Sequence, residues 1–126
     1  MAEQLPAAPV DLAALALDAS SYGAIWSHAG TDLNANFVLF DEGQGVAEHV
    51  NDEVEVLIVP LLGMGFVAVN GRHHSLAPGE VIAIPAGARR AIGSAGGQFG
   101  YLTCHRRRAG LWPRGLPRPN APAGPG

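Results

Sequence analysis

Two stretches decide how this chain folds: 43-GQGVAEHVNDEVEVL-57 and, further on, 79-GEVIAIPAGARRAIGS-94. The first sets His49, Asn51 and Glu55 close together, just ahead of the strand-forming run VEVLIV. The second is a short apolar run that ends at Pro85, turns at Gly87 and carries two adjacent arginines, Arg89 and Arg90. A histidine and a glutamate at the head of a β-strand raise the question of a metal ion. The arginine that follows in the second stretch bears on the answer.

Outward from these stretches, the chain from Tyr22 onward is a succession of short β-rich segments punctuated by glycine turns. GAIWSHA and ANFVLF come first, then the turn DEGQG, then VEVLIV and GFVAVN with PLLGM between them. Asn70-Gly71 is a two-residue hairpin signal, because both positions tolerate positive φ. RHHSL, the turn APGE, EVIAIP, ARRAIGS and GQFGYLTCHRR follow. Short strands at this spacing predict an all-β sandwich or barrel. DLAALALDA, before Tyr22, is a short helix or an arm.

The glycine, histidine, glutamate and proline spacings resemble the two motifs of the cupins, which are double-stranded β-helix (jelly-roll) barrels. Gly43, five residues and then His49 match the first motif, with Asn51 at its second histidine and Glu55 after three more residues. Gly79, Pro85 and Gly87 match the second motif, with Arg90 at its histidine and Ser94 at its asparagine. With flanking strands the resemblance spans about residues 22 to 112. It implies a cupin barrel at 22–113, after an N-terminal arm at 1–21; residues 114–126 are too rich in Pro and Gly to pack and read as a flexible tail, with Trp112 pinning the chain just before it. It does not imply one activity, because a fold hosts many functions.

The departures from the pattern bear on chemistry. The family's metal site uses three histidines and a glutamate, and only His49 and Glu55 remain. An asparagine oxygen is a weak neutral ligand, and an arginine is never a ligand at physiological pH. Seven residues rather than six separate Glu55 from Gly63, so the inward position falls on Val56 unless a bulge, for which Pro60 offers a place, takes up the extra residue. No cofactor is therefore expected. A metal-dependent cupin enzyme of dioxygenase or isomerase type would have to hold Fe, Ni, Zn or Mn through His49, Glu55 and His105, which shares a strand face with Phe99, Tyr101 and Thr103. The favoured expectation is a binding protein rather than an enzyme. Its ligand is a small anionic molecule such as a carboxylate, held by His49, Asn51, Glu55 and Arg90. A third alternative pairs Arg90 with Glu55 or Glu53, leaving a structural barrel with no ligand.

The totals narrow the classes further. At 126 residues, 48% hydrophobic and 15% charged, the chain is one globular domain. Its single cysteine, Cys104, excludes an internal disulfide and a cysteine zinc site. The absence of lysine excludes a Schiff base and a phosphate-loop lysine. Residues 1 to 56 carry ten of the eleven acids, and all eight arginines lie beyond them. In a barrel whose strands interleave, this asymmetry predicts internal pairing rather than nucleic-acid binding, and Arg106 to Arg108 form a solvated strand end. The first twenty residues lack the basic start of a signal peptide and the length of a membrane span, so no membrane partner and a cytoplasmic location are expected. VEVLIV is apolar on both faces, which predicts a covered outer face and a homodimer.

Overall fold

The computed structural model describes residues 7–107. The expected Trp112 anchor, the tail at 114–126 and Arg108 of the basic run lie outside the described residues. One helix, α1 (Leu12–Asp18), precedes nine strands: β1 (Gly23–Ala29), β2 (Leu33–Phe40), β3 (Gly45–Val50), β4 (Val56–Leu62), β5 (Gly65–Val69), β6 (Arg72–Leu76), β7 (Ile82–Ile84), β8 (Arg89–Ser94) and β9 (Phe99–Arg106). The sequence pattern anticipates every strand except β3, where Glu48 and His49 interrupt the apolar alternation.

The strands form two antiparallel sheets, one ordered β1-β2-β9-β4-β7 and the other β3-β8-β5-β6. Their inner faces share one apolar core. Val38, Phe40, Val56, Ile58, Ile84, Phe99 and Tyr101 come from the first sheet, and Val67, Leu76 and Ile92 from the second. Strands distant in sequence lie side by side. Acid-bearing β3 thus borders arginine-bearing β8, and Arg89 sits 4.0 Å from Glu48 across that border. Both side chains are exposed, so the pair adds little stability. The two charge halves of the sequence interleave as expected.

Local chemistry sets the corners. Asn70 and Gly71 both have positive φ, as the hairpin between β5 and β6 requires. Asn70 also ties that corner to β8: its Oδ1 accepts from Arg89 N at 2.9 Å, and its N–H donates to Arg89 O. Gly63 turns the chain between β4 and β5 at φ +67°, and a Cβ there would collide with the carbonyl oxygen of Gln98. Asp11 caps α1 by accepting from Ala14 N at 3.0 Å. The helix lays Ala16 over Phe37 and Leu39, covering part of the first sheet's outer face.

Tyr101 is fully buried, its ring stacked on Phe99 and tilted against Phe40, and its hydroxyl has no hydrogen-bond partner. Burial holds this phenol well above its ordinary pKa.

Two predictions follow from this packing. Gly63→Ala combines a strained φ with a backbone collision and should cost about 2–3 kcal/mol in urea unfolding. For Tyr101, the unfolded chain loses its phenol proton above about pH 10 while the folded chain keeps it. Its contribution to stability is therefore complete below pH 10 and declines as the pH rises further. Urea unfolding between pH 8 and 11.5 should show this decline, and Tyr101→Phe should flatten it. At pH 8 the variant should equal wild type or exceed it by up to about 1 kcal/mol, because it removes an unsatisfied buried hydroxyl.

Candidate functional site at one end of the barrel

The end of β3 and the start of β8 bring two of the sequence-predicted residues together. His49 and Arg90 are directly paired across the two strands, beyond an irregularity between Val46 and His49. His49 Nδ1 lies 2.9 Å from the carbonyl oxygen of Ala47, so that nitrogen carries a proton and donates.

Arg90 is only 2% exposed. Its Nε donates to Ala88 O at 2.9 Å, and its Nη2 donates to Pro85 O at 2.9 Å. The guanidinium thereby holds the turn between β7 and β8 from within. Neither Glu53 nor Glu55 forms an ion pair with it. The expected Arg90–Glu55 or Arg90–Glu53 pairing is therefore corrected: backbone carbonyls take the place assigned to the carboxylates.

Asn51 is 3% exposed and joins the same turn, accepting through its backbone oxygen from Gly87 N at 2.8 Å. Its side-chain Oδ1 accepts from Glu53 N at 3.0 Å and Val54 N at 3.4 Å, forming an Asx turn. These two backbone donors fix the amide orientation, since a flip would set its NH2 against two N–H groups. Asn51 Nδ2 is left buried with no acceptor.

Glu55 requires a second correction. It is exposed, and Val56 takes the inward place with no exposure at all. Val54, Val56 and Ile58 alternate inward, which forces Glu55 and Leu57 outward. A bulge does occur, between Pro60 and Leu62. It lies beyond Val56 and does not carry Glu55 to the interior.

Glu55 instead lines a half-open groove of about 570 Å³ at the barrel rim, together with Glu53, Pro85, Cys104, His105 and Arg106. Arg106 closes one side by donating to Glu53 O at 3.1 Å. Partial burial pushes the Cys104 thiol above its usual pKa. His105 lies on the inner face with Phe99, Tyr101 and Thr103, as its strand position predicts. The donor set does not fit a metal ion. Among the described residues no three His, Cys, Asp or Glu side chains come together, so the fallback set His49, Glu55 and His105 is not assembled.

A polar row escaped the sequence reading. At the His105 end of β1, β2 and β9 the inner face carries Ser27, Asn34, Asn36, Thr103 and His105. Ser27 Oγ donates to Asn36 Oδ1 at 2.7 Å, and Asn36 Nδ2 donates to Thr103 Oγ1 at 3.4 Å. The signal was present in 33-LNANFVLF-40, where both asparagines share the parity of inward-facing Val38 and Phe40.

No protein-family model and no curated protein sequence matches the chain. Solved structures do. A cupin protein from Bacteroides fragilis is 24% identical, covers 66% of this chain and 72% of its own, and superimposes with a TM-score of 0.58. An RmlC-like cupin family protein with a double-stranded β-helix fold from Methanocaldococcus jannaschii is 12% identical, with coverages of 71% and 84% and a TM-score of 0.60. A Thermus thermophilus protein is 21% identical, with coverages of 80% and 98% and a TM-score of 0.67. Among the described residues no helix is long and apolar enough to cross a membrane. With its two facing antiparallel sheets and these structural relatives, the chain has the double-stranded β-helix fold of a small cupin domain.

Proposed function

We propose that this cupin domain binds a small carboxylic acid at the end of the barrel where Asn51 and Arg90 meet the 85–88 turn, without a metal ion. The observation that carries the proposal is Asn51 Nδ2, a hydrogen-bond donor that is fully buried, fixed in orientation and without an acceptor. A buried donor left unpaired costs about 1–3 kcal/mol, so an acceptor from a ligand or a water stabilises the site. The positive charge of Arg90, tied into the same turn, favours an anionic acceptor over a neutral one. His49, paired with Arg90, stands on the same wall. Glu55 faces away and has no part in holding the acid.

The test is a thermal-shift screen of the full chain against small organic acids. An acid at a hundred times its Kd should add about 2.7 kcal/mol, or roughly 10 °C or more in Tm for a domain of this size. Asn51→Asp keeps the acceptor that holds Glu53 N and Val54 N but replaces the orphan donor with a negative oxygen. The variant should fold and lose the shift, and an unchanged shift would place the acid elsewhere. Stoichiometric transition metal in protein purified without chelator, lost in His49→Ala, would overturn the metal-free part of the proposal.

We also propose that two copies associate through the outer face of the first sheet. Leu57 of β4 is 43% exposed and Leu33 of β2 is 62% exposed, an apolar surface beyond the part that α1 covers. Light scattering at micromolar concentration should give a dimer mass for wild type and a monomer mass for Leu57→Glu. A monomeric wild type would rule this interface out.

A further inference from the structure

The outer face of the first sheet has a raised end and a bare end. α1 stands on the raised end, over Phe37, Leu39 and Leu102. At the bare end Leu33 of β2 and Cys104 and Arg106 of β9 point outward like those covered residues, and Leu57 lies beside Cys104 on β4. These four residues also line the half-open groove. We infer that in the dimer proposed above the helix of each copy seats in the groove of the other. The inference rests on that dimer reading and names the element that makes the contact.

α1 is apolar almost all round. Six of the seven residues in LAALALD are Leu or Ala, yet only Ala16 is buried. Leu17 is 87% exposed, and Leu15, Val10 before the helix and Tyr22 after it are exposed as well. A helix with no polar face belongs in a core or an interface, and one this short is marginal without packing. The sheet covers one side of α1 and leaves the other open. A lipid surface is a poor match for that side, because helices that lie on membranes carry basic residues along their polar face. The chain has no lysine and no arginine before Arg72.

Two copies meeting through the same face are related by a two-fold axis, which here lies in the plane of contact. An axis along the strands brings both helices to the same end, where they hold the bare ends apart. Each helix is about 10 Å long and about 10 Å across, so contact is then limited to on the order of 100 Å² per helix. An axis across the strands exchanges the two ends of the face. Each helix then occupies the recess beside the other, and the whole face is engaged. Five strands about 4.8 Å apart and about 20 Å long span roughly 500 Å² in flat projection, before side chains and helix flanks are added. A stable interface takes about 800 Å² from each partner, and only the second arrangement comes within reach of it. Charge does not oppose it: α1 brings Asp11 and Asp18 to an end that carries Arg106 and Arg107 as well as Glu53 and Glu55.

Leu17→Cys tests this against Cys104, the only native thiol of the chain. Leu17 is exposed, so the substitution leaves the fold intact. A short bismaleimide added to the full chain at micromolar concentration should give a covalent dimer, and mass spectrometry of its digest should find position 17 joined to position 104. By light scattering, Leu17→Glu should convert the wild-type dimer mass to a monomer mass, with an unchanged circular dichroism spectrum. A dimeric wild type whose Leu17→Cys variant gives no link between positions 17 and 104, or gives it only within a monomer, would overturn the inference and leave the dimer reading standing. A Leu17→Glu variant that stays dimeric would do the same. A monomeric wild type ends both readings.

Discussion

Burying the guanidinium of Arg90 sets the terms for this end of the barrel. A charge taken out of water needs compensation close by, and Arg90 finds part of it in the carbonyl oxygens of Pro85 and Ala88. Those bonds hold the turn between β7 and β8 against the interior. The same turn is held from the other side by Gly87 N, which donates to Asn51 O. Asn51 in turn shapes the segment that enters β4 through Glu53 N and Val54 N. One buried cation and one buried amide thus link β3, the approach to β4, and the β7–β8 corner. A braced corner, tied together by Arg90 and Asn51, fills this end of the barrel.

The interior therefore has an apolar middle and polar margins. Its middle is apolar and closed, with Val56, Ile58, Ile84, Ile92, Phe99 and Tyr101 in contact. The polar groups gather around Asn51 and along the row Ser27, Asn36 and Thr103. Hydrogen bonds join Ser27, Asn36 and Thr103, while Asn34 Oδ1, Asn51 Nδ2 and the Tyr101 hydroxyl are buried without a partner. Buried polar groups in folded proteins are nearly always paired.

The parity of β4 shows how little separates this arrangement from a metal-binding one. A strand alternates sides at every residue, so a one-residue offset reverses which side chains face inward. Here Val54, Val56 and Ile58 take the inward positions, which leaves Glu55 at the rim. The bulge at Pro60–Leu62 does not bring the glutamate inward. The same offset fills the core with valine, which favours packing over coordination.

Much of the fold was legible in the sequence because turns and alternation are local. Asn70-Gly71, Gly63 and the short apolar runs mark their own corners and strands, and the motif spacings imply the order of elements. The departures at Asn51 and Arg90 were equally visible, since a side chain's capacity to ligate a metal is a property of the residue. Strand β3 was harder to read, because its pairing with β8 rather than its own pattern makes it a strand. Tertiary structure alone decided where charge and hydrogen-bonding capacity went. Arg90 met carbonyl oxygens instead of Glu55, and Asn34 came to lie beside His105, seventy-one positions away in the chain. Those outcomes depend on which strands become neighbours and which side of each faces in, and no segment of the sequence carries that information by itself.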